Sequence, residues 1–267
     1  MFPTLALAAA LSLAPAQNGA LTISNDRLTF GGALGPTRPD NKYQPGDLFL
    51  LAFDIENLTV DKEGKVGYQI AMEITDAKGK SVYSTKDGQG AYLPLGGTKL
   101  PSSAFAPLAP EYYPPGTYTC RISIVDQATK AAKELTKKFD VVPAAFGIVN
   151  LVASNDQQAL LHSPFGGYVG QLLWLNFNVV QFARDDKTKE PDVSVELRVL
   201  EGGSPVTKQP QALHYTRLTR GVTEIANQMV VPFNRAGKFT VEIKAECNVT
   251  KKTSTVTIPL TVTPAPR

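Results

Sequence analysis

Apolar and polar residues alternate along most of this chain. In stretches such as "TISNDRLTF" (Thr22–Phe30), "SVELRVL" (Ser194–Leu200) and "TVEIKAE" (Thr240–Glu246), Val, Ile, Leu, Thr and Phe recur with period two between turns of Gly, Pro, Asn and Asp. Period two marks a half-buried strand, whose successive side chains point to opposite faces of a sheet. No window keeps an apolar spacing of 3.6 for three turns. The best helix candidate, "DQATKAAKEL" (Asp126–Leu135), sits where a hairpin must turn and reads as a turn between strands. The pattern predicts an all-β fold.

The pattern is also written twice. "YQPGDLFLLAFDIENL" (Tyr43–Leu58) matches "YVGQLLWLNFNVVQF" (Tyr168–Phe182), with the two tyrosines set against each other. "KVGYQIAMEITDAKGKSV" (Lys65–Val82) matches "DVSVELRVLEGGSPV" (Asp192–Val206). "PPGTYTCRISIVDQATK" (Pro114–Lys130) matches "NRAGKFTVEIKAECNVTK" (Asn234–Lys251), pairing Gly116 with Gly237, Tyr118 with Phe239 and Ile122 with Ile243. Each copy closes on an alternating strand that stops at a proline, Pro143 or Pro264, where a ladder donor is lost. Three blocks in one order predict two tandem antiparallel β-sandwiches, at residues 17–143 and 146–264. The joining segment "PAAFG" (Pro143–Gly147) is too short for a loose linker, so the two are expected to touch at a restricted angle. The first copy is lengthened by "GQGAYLPLGGTKLPSSAFAPLAPEYY" (Gly88–Tyr113), expected as a long loop apolar enough to pack against the sandwich.

Alternation puts Tyr118, Cys120, Ile122 and Ile124 on a core face, with Thr119, Arg121 and Ser123 opposite. A tyrosine here can send its hydroxyl to an upstream carbonyl. Phe239 holds the matching place without a hydroxyl, so the position first requires a large ring. A disulfide needs a partner Cα about 4.4–6.8 Å away, and the facing strand "DLFLLAFDI" carries no cysteine. Cys120 and Cys247 are therefore expected as free, buried thiols. Trp174, amid Leu173, Leu175 and Phe177, is expected as the buried strand tryptophan of a sandwich.

Candidate chemistry is sparse. His162 and His214 are the only histidines, and no zinc-ligand spacing or nucleophile motif accompanies them. Asp185, Asp186, Glu190 and Asp192 gather in "ARDDKTKEPD" (Ala183–Asp192). Arg184, Lys187 and Lys189 interleave them, which suits a solvated hairpin loop better than a calcium loop. "HSPFGGYVGQ" (His162–Gln171) leads into a strand, so it lacks the helix N-terminus that cradles phosphate. Asn57 and Asn248 open glycosylation sequons. No catalytic, cofactor-binding or metal residue is assigned. Tyr92, Tyr112 and Tyr113, in or after the long segment, are the candidate ligand-binding residues.

Composition narrows the setting. The chain has 267 residues, 43% hydrophobic and 19% charged, with a formal net charge of +3. So small an excess does not suggest a nucleic-acid binder, which usually carries a concentrated basic face. Residues 1–16, "MFPTLALAAALSLAPA", form an uncharged apolar run closed by Ala14-Pro15-Ala16, which predicts a signal peptide. The run is too short to span a bilayer, and no later segment is long enough for a membrane helix. The expected location is extracytoplasmic, secreted or periplasmic, without a transmembrane anchor.

"QPGDLFLLAFDIENL" (Gln44–Leu58), "DAKGKSVY" (Asp76–Tyr83) and "PPGTYTCRISIVD" (Pro114–Asp126) carry P-G-D, G-K and P-G-x-Y hairpin marks. With them the chain resembles tandem immunoglobulin-like or fibronectin-III-like modules of bacterial exported proteins. The resemblance implies two immunoglobulin-like sandwiches doing adhesive, scaffolding or glycan-binding work without catalysis, and it transfers no site. The expected partner is an envelope or secreted protein. The alternative is a carbohydrate stacked on Tyr92, Tyr112 and Tyr113.

Overall fold

A computed structural model describes residues 19–160 and 162–266. The expected signal peptide, residues 1–16, lies outside the described residues. The strands of the first copy are β1 (Thr22–Leu28), β2 (Lys42–Tyr43), β3 (Leu48–Glu56), β4 (Lys65–Thr75), β5 (Ser81–Tyr92), β6 (Leu100–Pro107), β7 (Gly116–Asp126) and β8 (Ala132–Val141). They form a three-stranded sheet, β1-β3-β6, and a five-stranded sheet, β2-β8-β7-β4-β5. The second copy comprises β9 (Gly147–Ser154), β10 (Gly166–Tyr168), β11 (Leu172–Val180), β12 (Val193–Glu201), β13 (Ser204–Pro205), β14 (Gln211–Tyr215), β15 (Glu224–Pro232), β16 (Gly237–Cys247) and β17 (Lys252–Thr263). It repeats the plan, with β9-β11-β15 facing β10-β17-β16-β12 and both β13 and β14 paired to β12. Each pair of sheets encloses its own apolar cluster. This is the immunoglobulin-like sandwich, found twice. They are called sandwich 1 and sandwich 2 below.

Alternation explains the cores. Phe49, Leu51, Phe53 and Ile55 of β3 and Leu173, Leu175, Phe177 and Val179 of β11 point inward and are buried. Trp174 takes the opposite face, beside Val230 and Ser154, and is half-buried. The expectation of a core tryptophan is thus corrected. Its inward neighbours at 173 and 175 leave position 174 no choice but the outer surface. In β3 the run Phe49–Ile55 is buried on both faces, so something also covers the outer side of that sheet.

The expected long loop over Gly88–Tyr113 is also corrected. β5 continues without interruption to Tyr92, β6 runs from Leu100, and only short connections remain. Gly88 and Gly90 pair with Gln69 and Gly67. Their missing side chains and the small Ala104 and Ala106 erased the alternation that would have announced two strands. The tyrosines set side by side in the sequence are out of register. Tyr43 and Gly167 both pair with the valine (Val141, Val262) that stands opposite the corner glycine. The counterpart of Tyr43 is therefore Gly167, and that of Gln44 is Tyr168.

The corner is a tyrosine corner, with the Tyr118 hydroxyl donating to the Pro114 carbonyl at 2.7 Å. Cys120 lies in the core between Ile74 and Lys137 of the flanking strands, and burial pushes its thiol up to about 12. Both cysteines are free. At the other end of β7, Asp126 is buried and organises two turns. Its carboxylate accepts the Thr59 amide at 2.7 Å, the Ala128 amide at 2.8 Å and the Thr129 amide at 3.1 Å. Burial opposes the charged form, but these donors outweigh it and hold the carboxyl below the usual range.

Two outcomes are expected. Tyr118→Phe should cost about 1 kcal/mol in urea unfolding, against about 3–5 kcal/mol for Tyr118→Ala, because the ring outweighs its hydroxyl. A lowered native pKa makes the Asp126 contribution complete above the unfolded value of about 4 and lost as pH falls below it. Asp126→Asn should therefore destabilise at pH 7 by about 1–3 kcal/mol, with a smaller gap from the parent at pH 3.

Candidate functional site

The cover over the outer face of β3 comes from the β1–β2 connection and from sandwich 2. After β1 the chain folds back through "FGGALGP", with the Phe30 amide donating to Pro36 O at 3.0 Å and the Thr29 hydroxyl donating to Gly32 O at 2.9 Å. Phe30 then packs within the core cluster of sandwich 2. Gly31 has φ +66°, and a Cβ there would come within 3.1 Å of Val152 Cα on β9. Only glycine serves this close backbone approach.

The segment "QPGD" (Gln44–Asp47) makes the polar half of the joint. Gln44 Oε1 accepts the Ala145 amide at 3.1 Å. Asp47 is 5% exposed, and its Oδ1 accepts the amides of Leu48 at 2.9 Å and Asn150 at 3.0 Å. Its Oδ2 pairs with Arg38 Nη2 at 3.1 Å. The Arg38 guanidinium lies 4.5 Å from the Phe30 ring centroid and 4.2 Å from that of Tyr43, a cation held by two aromatic rings. Asn150 can present its amide because β9 bulges there, at φ +55°; β1 bulges at the same place at Asn25, φ +53°.

Beside this joint opens an apolar cleft of about 380 Å³, lined by Leu34, Leu50, Phe105, Val152, His162 and Pro164 among others, with no Asp, Glu, Lys or Arg. Leu34 and Phe105 are 63% and 59% exposed. His162 also lines an adjoining hollow on the outer face of β11, where Asn176, Asn178 and Gln228 gather. Asn176 donates to Ser154 Oγ at 3.1 Å, and Gln228 donates to Asn176 Oδ1 at 2.8 Å, so the row is fixed by its own bonds. An apolar seat running into a row of amides can hold a large apolar side chain and hydrogen-bond the backbone beside it.

The candidate tyrosines do not share one surface. Tyr92 is exposed opposite Lys65, at the start of β4. Tyr112 is exposed just before β7, whose Thr119 pairs with Thr75 at the end of β4. The two ends of β4 are roughly 33 Å apart at about 3.3 Å per residue. Tyr113 is 2% exposed, 5.4 Å from the Tyr118 ring, and belongs to the core. In the acidic loop, Asp185 Oδ1 caps the turn by accepting the amides of Lys187 and Thr188 at 2.9 and 2.8 Å. Among the described residues no three His, Cys, Asp or Glu side chains gather as a metal site requires. His214 meets Asp192 at 2.8 Å, and Asn248 donates to the same carboxylate at 2.7 Å, which together hold that carboxyl below its usual range.

Leu34 and Phe105 escape a reading by alternation. Two signals point to them: the apolar glycine-rich tip "FGGALG", and the unbroken run "LFLLAF", which demands cover on both faces of β3.

No protein-family model matches the chain, and no curated protein matches it by sequence. Among solved structures it is similar to the C-terminal domain of the antigen I/II-family protein AspA of Streptococcus pyogenes, at 11% identity and a TM-score of 0.30, over 91% of this chain and 100% of that one. It is also similar to the C-terminal domain of the AgI/II polypeptide BspA of Streptococcus agalactiae, at 8% identity and a TM-score of 0.31, over 90% and 100%. A third similarity, to red sea bream transglutaminase, has 9% identity and a TM-score of 0.28; it covers 91% of this chain and 31% of that one. The chain thus spans under a third of the transglutaminase. These scores are too low to bear on activity or partners.

If Asp47 sets the angle between the sandwiches, Asp47→Ala should release it. Spin labels at positions 86 and 187, one per sandwich, should then give a broadened distance distribution by pulsed electron resonance. Stability should fall by about 3–5 kcal/mol, since Arg38 loses its buried counter-charge.

Proposed function

We propose that the chain is a non-catalytic interaction protein acting outside the cytoplasm, whose joint between two fixed sandwiches takes an apolar segment of an envelope or secreted protein. The observation that carries this reading is the apolar cleft at the joint, with Leu34 and Phe105 exposed above it. Large apolar side chains left in water around a concave, preformed seat mark interaction sites. A joint fixed by Asp47 and Arg38 keeps the seat's two walls, one from each sandwich, in place before binding. That lowers the ordering cost of association. The amide row next to the cleft suits an extended backbone, and a lining without Lys or Arg disfavours nucleic acid and acidic ligands. The signal-peptide pattern of residues 1–16 supports the location.

The test is site-specific photo-crosslinking in the native host. A benzophenone amino acid at position 105 should capture a discrete partner protein. The same group at position 95, in the exposed β5–β6 turn, should capture none. Leu34→Ser with Phe105→Ser should abolish capture from a probe at position 164, while unfolding shifts by no more than about 0.5 kcal/mol. Equal capture from positions 95 and 105 would refute the reading.

A further inference from the structure

The two sandwiches share strands and register but differ in what fills one end. In sandwich 1 that end is packed with five rings: Tyr43, Phe49, Tyr113, Tyr118 and Phe139, at centroid separations from 4.3 to 5.7 Å. Register gives each strand ring a counterpart. Tyr118 pairs with Phe139 as Phe239 pairs with Leu260, and Tyr43 corresponds to Gly167. Phe49 corresponds to Leu173, since Leu48–Pro107 and Leu172–Pro232 are matching pairs. Tyr113 has no counterpart. Eight residues, 108–115, join β6 to β7, whereas four, 233–236, join β15 to β16.

Two replacements run the other way, Val231 for Ala106 and Phe233 for Leu108. Phe233 packs over Gly167, where a Cβ would meet its ring at 3.0 Å, so the place of Tyr43 is refilled, whereas nothing takes the place of Tyr113. Sandwich 2 holds an apolar cavity of about 360 Å³ at this end, lined by Leu197, Val199, Val231, Phe233, Phe239 and Leu260 among others. Ile74 and Tyr118 are 0% and 3% exposed. Their counterparts Val199 and Phe239 point the same way, yet both are only half-buried. The mouth lies between β15 and the segment leading to β14, where the Gln211 amide donates to Val230 O at 2.7 Å. Arg235 stands at the rim, 4.7 Å from the Phe239 centroid, and is already paired with Glu201 at 2.7 and 2.9 Å.

We propose that this cavity seats an aromatic side chain of a partner polypeptide, which packs against Phe239 as Tyr113 packs against Tyr118. Sandwich 1 displays the filled state, in which the ring is delivered between the sheets by polypeptide. Sandwich 2 has the seat and a connection four residues shorter, which brings no ring to it. An unfilled apolar space leaves its walls without contacts, which a ring restores. A dry cavity of about 150 Å³ is enough to bind benzene, so size is no obstacle. Because the rim charge is matched within the chain, the site calls for a neutral ring. Thr207, Gln209 and Asn234 at the mouth can hydrogen-bond the backbone that carries it. This seat is separate from the cleft at the joint and stands or falls independently of it.

The test is methyl-detected NMR of the full chain titrated with three probes: acetyl-Ala-Tyr-Ala-amide, p-cresol and decanoate. The tripeptide should shift Leu197, Val199, Val231 and Leu260 saturably and bind more tightly than p-cresol, leaving Ile74 and Ile122 unmoved. Val199→Phe, which fills the cavity, and Val206→Trp, which blocks its exposed mouth, should each weaken the tripeptide by about tenfold or more. Binding of p-cresol but not the tripeptide would make this a small-molecule site and overturn the proposal. So would preferential binding of decanoate, as an acyl site. No saturable shift, or shifts unchanged in both variants, would reduce the cavity to a packing defect.

Discussion

Asp47 holds a negative charge where water barely reaches, and groups from both sandwiches converge on it. Arg38 supplies the counter-charge, Leu48 a local amide, and Asn150 an amide from the far side of the joint. A buried ion pair adds little net stability compared with an apolar replacement, but it tolerates only one geometry. That constraint suits a joint more than a core. Apolar surfaces can slide over one another at small cost, whereas a carboxylate with three directed partners cannot move without stranding one of them. Arg38 adds to the restriction because its guanidinium is gripped by Phe30, which packs in the core of sandwich 2, and by Tyr43, which packs in sandwich 1. The relation between the two halves therefore depends on a few polar contacts set inside an apolar seam.

Duplication gives each local feature an internal comparison. Both first strands bulge at an asparagine of positive φ. In sandwich 1 the Asn25 side chain donates to Asp54 of its own sandwich at 3.0 Å, while in sandwich 2 the freed amide of Asn150 is spent on the joint. Leu151 and Val152 of β9 correspond to the charged Asp26 and Arg27 of β1. The entry strand of sandwich 2 is apolar where it meets sandwich 1, and the matching strand of sandwich 1 is charged where it meets solvent. The copies have diverged in how their ends are finished, not in how their cores are threaded.

That division explains what could be read in the sequence. The strands, the doubled corner and the free thiols follow from period-two patterning, because one buried face imposes its rule on every second residue. The pattern fails where side chains vanish. Gly88 and Gly90 hid the end of β5, and Ala104 and Ala106 made β6 look like loop. It also fails where resemblance outweighs register: Tyr43 resembles Tyr168 in its sequence setting, but pairing aligns it with Gly167. Trp174 misled for a related reason, since composition suggests burial while parity alone decides the face. The joint was half visible. "LFLLAF" shows that β3 is covered on both sides, but no spacing reveals that Asp47 and Asn150, 103 positions apart, share a hydrogen bond.

The cavity of sandwich 2 lay beyond sequence reasoning altogether. It arises from the combined size of side chains on β12, β15, β16 and β17, together with a loop too short to bring a further ring. No single replacement announces it. Phe239 for Tyr118 looks conservative, and so does Leu260 for Phe139. Only when pairing brings Val199, Phe239 and Leu260 to one end does the shortage of volume appear, and only the filled end of sandwich 1 shows what is missing. A protein interior is packed to a nearly constant density. A departure confined to one copy of a repeated fold, and open to solvent, is therefore informative in a way that the same hollow in an isolated domain would not be.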